Sequence, residues 1–188
     1  MTELILFHHA HGLTRGVQAF ADELRAAGHR VTVPDLYQGA TFDTVEEGVA
    51  HAERLGMDQI IDRGVAAAAD LPGSIVYAGF SLGAMPAQKL AQTRPGALGA
   101  LLYHGGVAAS TFGSAWPARV ALQVHLSEPD AWTELDAVQE LVQDAADAEL
   151  YLYPGLGHLF TDATLADYDP AAAGLVLDRS RAFLGRWA

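Results

Sequence analysis

The sequence predicts an α/β fold, a mostly parallel sheet of about six to eight strands with helices on both faces. Three observations carry that expectation. Short apolar runs alternate with longer helical patterns along the whole chain, the βαβα order that builds parallel sheets. The length of 188 residues and a hydrophobic content of 51% suit a single domain spanning 1–188 with a full core. The segments rich in Gly, Ser, His and Asp fall where strands end, and ligands of open α/β sheets bind outside the carboxyl ends of the strands.

Residues 4–8 read as a strand, and 13–27 as a helix stopped by Gly28. Residues 30–34 form a second strand. The stretch 44–71 is mostly helical, with a break near Gly56 or Gly64. Residues 75–80 are β-branched and aromatic, as a buried strand is; 84–93 are helix-forming and end before Pro95-Gly96. Strands follow at 97–103 and 120–125, then a helix at 132–146, a strand at 148–153 and a closing helix at 170–187. There is no internal repeat, low-complexity tract or linker.

Composition removes several classes of function. The formal net charge is −12 and no basic stripe exists, so nucleic acid and anionic membrane surfaces are not expected partners. With no cysteine there is no disulfide and no thiolate chemistry. The start of the chain lacks the basic n-region of a signal peptide, and no stretch is long and apolar enough to span a bilayer. The expected location is the cytoplasm, with a monomer as the default.

The most informative motif is Gly79-Phe80-Ser81-Leu82-Gly83. A G-x-S-x-G flanked by strand and helix is a nucleophile elbow: the sharp turn pushes the Ser hydroxyl out above the sheet, and small residues give it room. A bare turn with an incidental Ser is the alternative. A serine hydroxyl needs a base within hydrogen-bond reach, and the base needs an acid to hold its tautomer. In α/β-hydrolases these follow in the order Ser, acid, His. His158 supplies the base from the glycine-rich run Tyr153-Pro154-Gly155-Leu156-Gly157-His158. Two acids follow the fifth strand, Glu128 and Asp130. Asp130 is the preferred one, although Asp before a helix also suits an N-cap. The backbone amides of Leu82 and Ala10 are candidates for an oxyanion hole.

His8, His9 and His11 invite a metal reading, but no further ligand accompanies them and no metal is expected. They read instead as loop imidazoles, His9 and His11 facing a pocket, with His104 after the fourth strand in the same role. Tyr37 and Trp116 are further candidate pocket walls, together with Phe7, Phe42, Tyr103 and Phe112, at least half of which are expected in the core. His125 reads as a buried, satisfied imidazole.

With these residues in place the chain resembles the dienelactone hydrolase family, nearly end to end. The resemblance rests on Pro34-Asp35-Leu36-Tyr37, on the elbow through Ala84, and on Gln123-Val124-His125-Leu126 leading to Asp130. It continues through Tyr153-Pro154-Gly155 to His158-Leu159-Phe160 and on to Tyr168-Asp169. It implies a compact, lidless α/β-hydrolase fold of eight strands or fewer, a triad of Ser81, Asp130 and His158, an oxyanion hole from the Ala10 and Leu82 amides, and no metal or organic cofactor. The namesake enzymes carry Cys at the position of Ser81 and a Glu at that of His9; a Ser nucleophile does not need that Glu. They also carry an Arg shortly after the His, where this chain has Asp162. A carboxylate there would repel an anionic lactone, so dienelactone is not the expected substrate. The expected activity is hydrolysis of small esters, lactones or thioesters through an acyl-enzyme, the partner being a small acyl substrate. A non-catalytic pocket on the same fold is the alternative.

Overall fold

A computed structural model describes all 188 residues. Six strands, β1 (Glu3–Phe7), β2 (Arg30–Thr32), β3 (Val76–Phe80), β4 (Gly99–Tyr103), β5 (Ala121–Glu128) and β6 (Ala148–Pro154), form one sheet in the order β2-β1-β3-β4-β5-β6. Every neighbouring pair is parallel. The expectation of a mostly parallel sheet of six to eight strands is met by six strands, all parallel. The helices are α1 (Arg15–Ala26), α2 (Val45–Leu55), α3 (Met57–Ala67), α4 (Ala84–Thr93), α5 (Leu135–Asp144) and α6 (Pro170–Leu184). No helix is long and apolar enough to cross a membrane.

Side chains alternate across a strand, so the central strands feed two cores. From β1, Leu4 and Leu6 join Val17, Phe20 and Leu24 of α1 and Val176 and Phe183 of α6. Ile5 and Phe7 point the other way, to Ala52 of α2, Ile60 of α3, Leu90 of α4 and Leu141 of α5. Strands buried on both faces read as continuous apolar runs, which is why β1, β3 and β4 are plain in the sequence.

Helix boundaries follow local chemistry. Thr14 caps α1, its Oγ1 accepting from the Val17 amide at 3.1 Å; Thr44 caps α2 in the same way through Glu47. Gly56, at φ 89°, breaks the long helical stretch into α2 and α3. The helix expected over 132–146 begins later, at Leu135. Asp130 therefore caps nothing: its Oδ1 accepts the Trp132 amide at 2.9 Å in a loop, an Asx turn that competes with helix.

The order of strands reverses around β1, with β2 on one side and β3 on the other. The loops after β1 and β3 diverge there and leave the crevice in which α/β proteins place their sites.

Candidate active site

Ser81 follows β3 directly and has φ 49°, unusual for a residue with a side chain. That backbone is the sharp corner that lifts its hydroxyl above the sheet. The two motif glycines are both steric necessities. A Cβ on Gly79 would lie 2.0 Å from the Gly83 carbonyl oxygen; one on Gly83 would lie 2.5 Å and 2.6 Å from the carbonyl oxygens of Phe7 and His8. Gly83 thus lets the elbow seat against the end of β1, beside the loop that carries Ala10. Gly83→Ala should lower folding stability by about 1–3 kcal/mol or more through overpacking against backbone, measured as a lower midpoint in urea.

The Ser81 hydroxyl lies 2.8 Å from His158 Nε2. His158 Nδ1 lies 2.7 Å from Asp130 Oδ2. Burial tends to raise the Asp130 pKa, but hydrogen bonds from His158, the Trp132 amide and the Ser127 hydroxyl outweigh it and hold it below the usual carboxylate value. Asp130 is therefore an anion at neutral pH. It takes the Nδ1 proton of His158 and leaves Nε2 as the acceptor facing Ser81. Glu128, the other acid considered, is exposed.

A cavity of about 310 Å³ opens beside Ser81. Leu82, Met85, His104, Val107, Trp132 and Glu134 are among its walls. Trp132 is exposed, and its ring stands 6.3 Å from that of His158. Glu134 is the only formally charged wall. His104 was expected here and is here; burial pushes its pKa well below the ordinary value, so it is neutral. Its Nε2 meets the Thr161 hydroxyl at 2.7 Å, and its Nδ1 is buried without a partner.

Four other expected pocket walls lie elsewhere. Tyr37 is buried in the core, its hydroxyl donating to the Gly48 carbonyl at 3.1 Å. Trp116 packs in the core too, its Nε1 donating to the Val120 carbonyl at 2.7 Å. His9 and His11 are buried scaffold of the loop after β1, because each ring finds a closer partner than the cavity. His9 Nε2 meets Asp162 Oδ2 at 2.8 Å, and His11 Nδ1 meets the Phe42 carbonyl at 2.9 Å. His8 is likewise structural, Nε2 accepting the Leu36 amide at 2.9 Å. No three metal-ligating side chains converge, at this loop or elsewhere. Phe7 and Tyr103 are core residues, and Phe42 and Phe112 do not border the cavity.

Asp162 is also not where the resemblance puts it in function. It is 3% exposed and its two oxygens accept four hydrogen bonds, from His9, the Thr14 hydroxyl, and the amide and hydroxyl of Thr164. Such a carboxylate repels no substrate; the acid facing the cavity is Glu134. Sequence reasoning missed the cavity roles of Trp132 and Glu134, since both sit in a stretch that reads as helix.

His125 is the buried, satisfied imidazole the sequence suggests, with Tyr153 hydroxyl at 2.8 Å and Gln123 Oε1 at 2.9 Å. Burial pushes its pKa down to about 3 and that of His8 to about 4. Both are lower than the unfolded value of about 6.5, so the unfolded chain binds more protons below pH 6.5. Stability is full above that pH and is lost as the pH falls through the folded values. The unfolding free energy extrapolated from urea titrations should drop steeply from pH 7 to pH 4, by an amount on the order of 3 kcal/mol from His8 alone; a flat profile would contradict it.

A six-stranded parallel sheet with a serine elbow between β3 and α4 defines an α/β-hydrolase. The chain belongs to the dienelactone hydrolase family, whose profile matches residues 2–188. No curated protein sequence matches it significantly. Among solved structures it is similar to a dienelactone hydrolase-like promiscuous phosphotriesterase from metagenomic libraries, with a TM-score of 0.77 at 20% identity over 99% of this chain and 86% of that one. A Klebsiella pneumoniae protein provisionally described as a dienelactone hydrolase gives a TM-score of 0.75 at 18% identity, over 100% of this chain and 88% of that one. An α/β-superfamily hydrolase, provisionally so described, from Xanthomonas campestris gives 0.65 at 20% identity, covering 99% of both chains. At such identities the likeness carries the fold and not the substrate.

Proposed function

We propose that this protein is a serine hydrolase of small carboxylic esters, lactones or thioesters, acting through an acyl-enzyme. The observation that carries the reading is the unbroken line of short hydrogen bonds from Ser81 through His158 to Asp130, ending at an open cavity. Ser81 Oγ attacks the carbonyl carbon while its proton passes to His158 Nε2. Asp130 holds the imidazole and stabilises its charged form. The Ala10 and Leu82 amides receive the oxyanion. The leaving alcohol or thiol takes the proton from His158; water, activated by the same base, then releases the acid.

A cavity of about 310 Å³, at the small end of ligand sites, suits short acyl groups. With apolar walls, neutral His104 and Glu134 at the rim, it offers no cation to a substrate carboxylate. Neutral acyl donors are therefore favoured over anionic ones, which keeps dienelactone out for a reason other than Asp162. The test is covalent labelling by a fluorophosphonate followed by peptide mapping. Stoichiometric modification of Ser81 is expected. A chain that stays unlabelled while folded would turn the reading towards a non-catalytic binding protein.

A further inference from the structure

We propose that His9 and Asp162 form a positioning pair that sets the oxyanion loop, linking it to the loop that carries His158. The inference rests on the hydrolase reading above and assigns a task to two buried residues which that reading does not use.

The loop after β1 is a tight turn closed by the Gly12 amide donating to the His9 carbonyl at 3.0 Å. Ala10 and His11 occupy its centre. The same carbonyl takes the His8 Nδ1 proton at 2.8 Å. The His11 amide donates to His9 Nδ1 at 3.3 Å. His9 thus engages the turn through its carbonyl and its ring, while the Ala10 amide has no partner within the protein. A free, fixed N–H at the tip of a turn is what an oxyanion requires. From behind, Gly48 of α2 supports the turn: a Cβ there would lie 2.0 Å from the Ala10 carbonyl oxygen.

The ring of His9 can accept the His11 amide only if Nδ1 carries no proton. Asp162 enforces that, since a carboxylate accepts only and so takes the Nε2 proton, at 2.8 Å. Burial, outweighing Asp162, keeps the imidazole neutral. Asp162 is itself immobilised. Thr14, the cap of α1, donates to it at 2.5 Å, and Thr164 donates twice, at 2.7 Å and 2.6 Å. Gly16 makes its berth, for a Cβ there would lie 1.7 Å from Oδ1. Asp162 lies four residues beyond His158. One carboxylate therefore ties the oxyanion turn, the start of α1 and the segment bearing the general base into a single unit.

The experiment uses imidazole mimics. Gln reaches the place of Nε2 and keeps the donor to Asp162, but offers Nδ1 no substitute. Asn reaches the place of Nδ1 and keeps an acceptor for the His11 amide. Kinetics on p-nitrophenyl acetate would be measured for wild type, His9→Gln, His9→Asn and Asp162→Asn, each normalised to fluorophosphonate-reactive Ser81. Inhibition by a trifluoromethyl ketone, which forms a tetrahedral oxyanion adduct, would be measured alongside. His9→Gln should lower kcat about 10- to 100-fold, within the reach of a displaced oxyanion donor, with KM within about threefold and ketone affinity falling in parallel with kcat. His9→Asn should recover most of the rate, and Asp162→Asn should fall between. A labelled wild type whose His9→Gln keeps full kcat, or loses only KM, overturns the positioning role alone. Equal losses in Gln and Asn variants with unchanged ketone affinity per active site reduce the pair to a structural one. A wild type whose Ser81 cannot be labelled overturns the hydrolase reading and the pair's task with it.

Discussion

Ser81→Ala is expected to lower kcat for p-nitrophenyl acetate by about 10⁴-fold or more, leaving only what binding and the oxyanion hole supply. The effect should be large because the chain offers no second nucleophile in the cavity: it has no cysteine, and the other hydroxyl there, Thr133, donates to the His104 carbonyl at 3.1 Å. Alanine fits the site, so melting should change little. Relief of the φ of 49° is not on offer, since Ala shares the Cβ that makes that conformation costly. Equal hydrolysis by both proteins would place the reaction somewhere other than the elbow.

Asp130→Asn is expected to cost about 10⁴-fold in kcat with little change in KM. The argument is one of proton placement. Asp130 Oδ1 holds the Trp132 amide at 2.9 Å and Oδ2 holds His158 Nδ1 at 2.7 Å. An Asn that keeps its oxygen on the Trp132 amide turns its NH₂ to Nδ1. The imidazole must then carry its proton on Nε2, where Ser81 needs an acceptor. Glu128→Gln, the exposed neighbour, should stay within about twofold of wild type. Rates for the two variants, side by side, separate the acids; a silent Glu128→Gln with an active Asp130→Asn would reverse the assignment.

What the sequence disclosed depended on how local the cause was. β1, β3 and β4 were legible because burial on both faces leaves uninterrupted apolar runs, and the elbow was legible because Gly79 and Gly83 answer to contacts within a few residues or with the adjoining strand. Ser81 and His158 could be singled out by their order and loop positions, which left Glu128 beside the preferred Asp130; the structure brings Ser81, His158 and Asp130 within hydrogen-bond distance. The pocket walls were not legible. Tyr37 and Trp116 look like any aromatic beside a loop, and whether such a ring faces a cavity or the core depends on partners such as Gly48 and Val120. Asp162 misled for the same reason: its neighbours His9 and Thr14 lie 153 and 148 residues away in sequence. Trp132 and Glu134 were hidden by a helical pattern that begins three residues late.

The turn Asp130-Ala131-Trp132 has a bearing on how such a protein could change its diet. The indole borders the cavity beside Ser81, while the amide of the same residue secures the acid behind His158. Side chain and main chain at position 132 therefore answer to different masters. A substitution there changes a wall of the cavity and leaves the bond to Asp130 in place, because the amide is common to every residue but proline. In the proposed hydrolase, new preferences can be sampled at this one site one mutation at a time while the hydrogen bond behind His158 is kept.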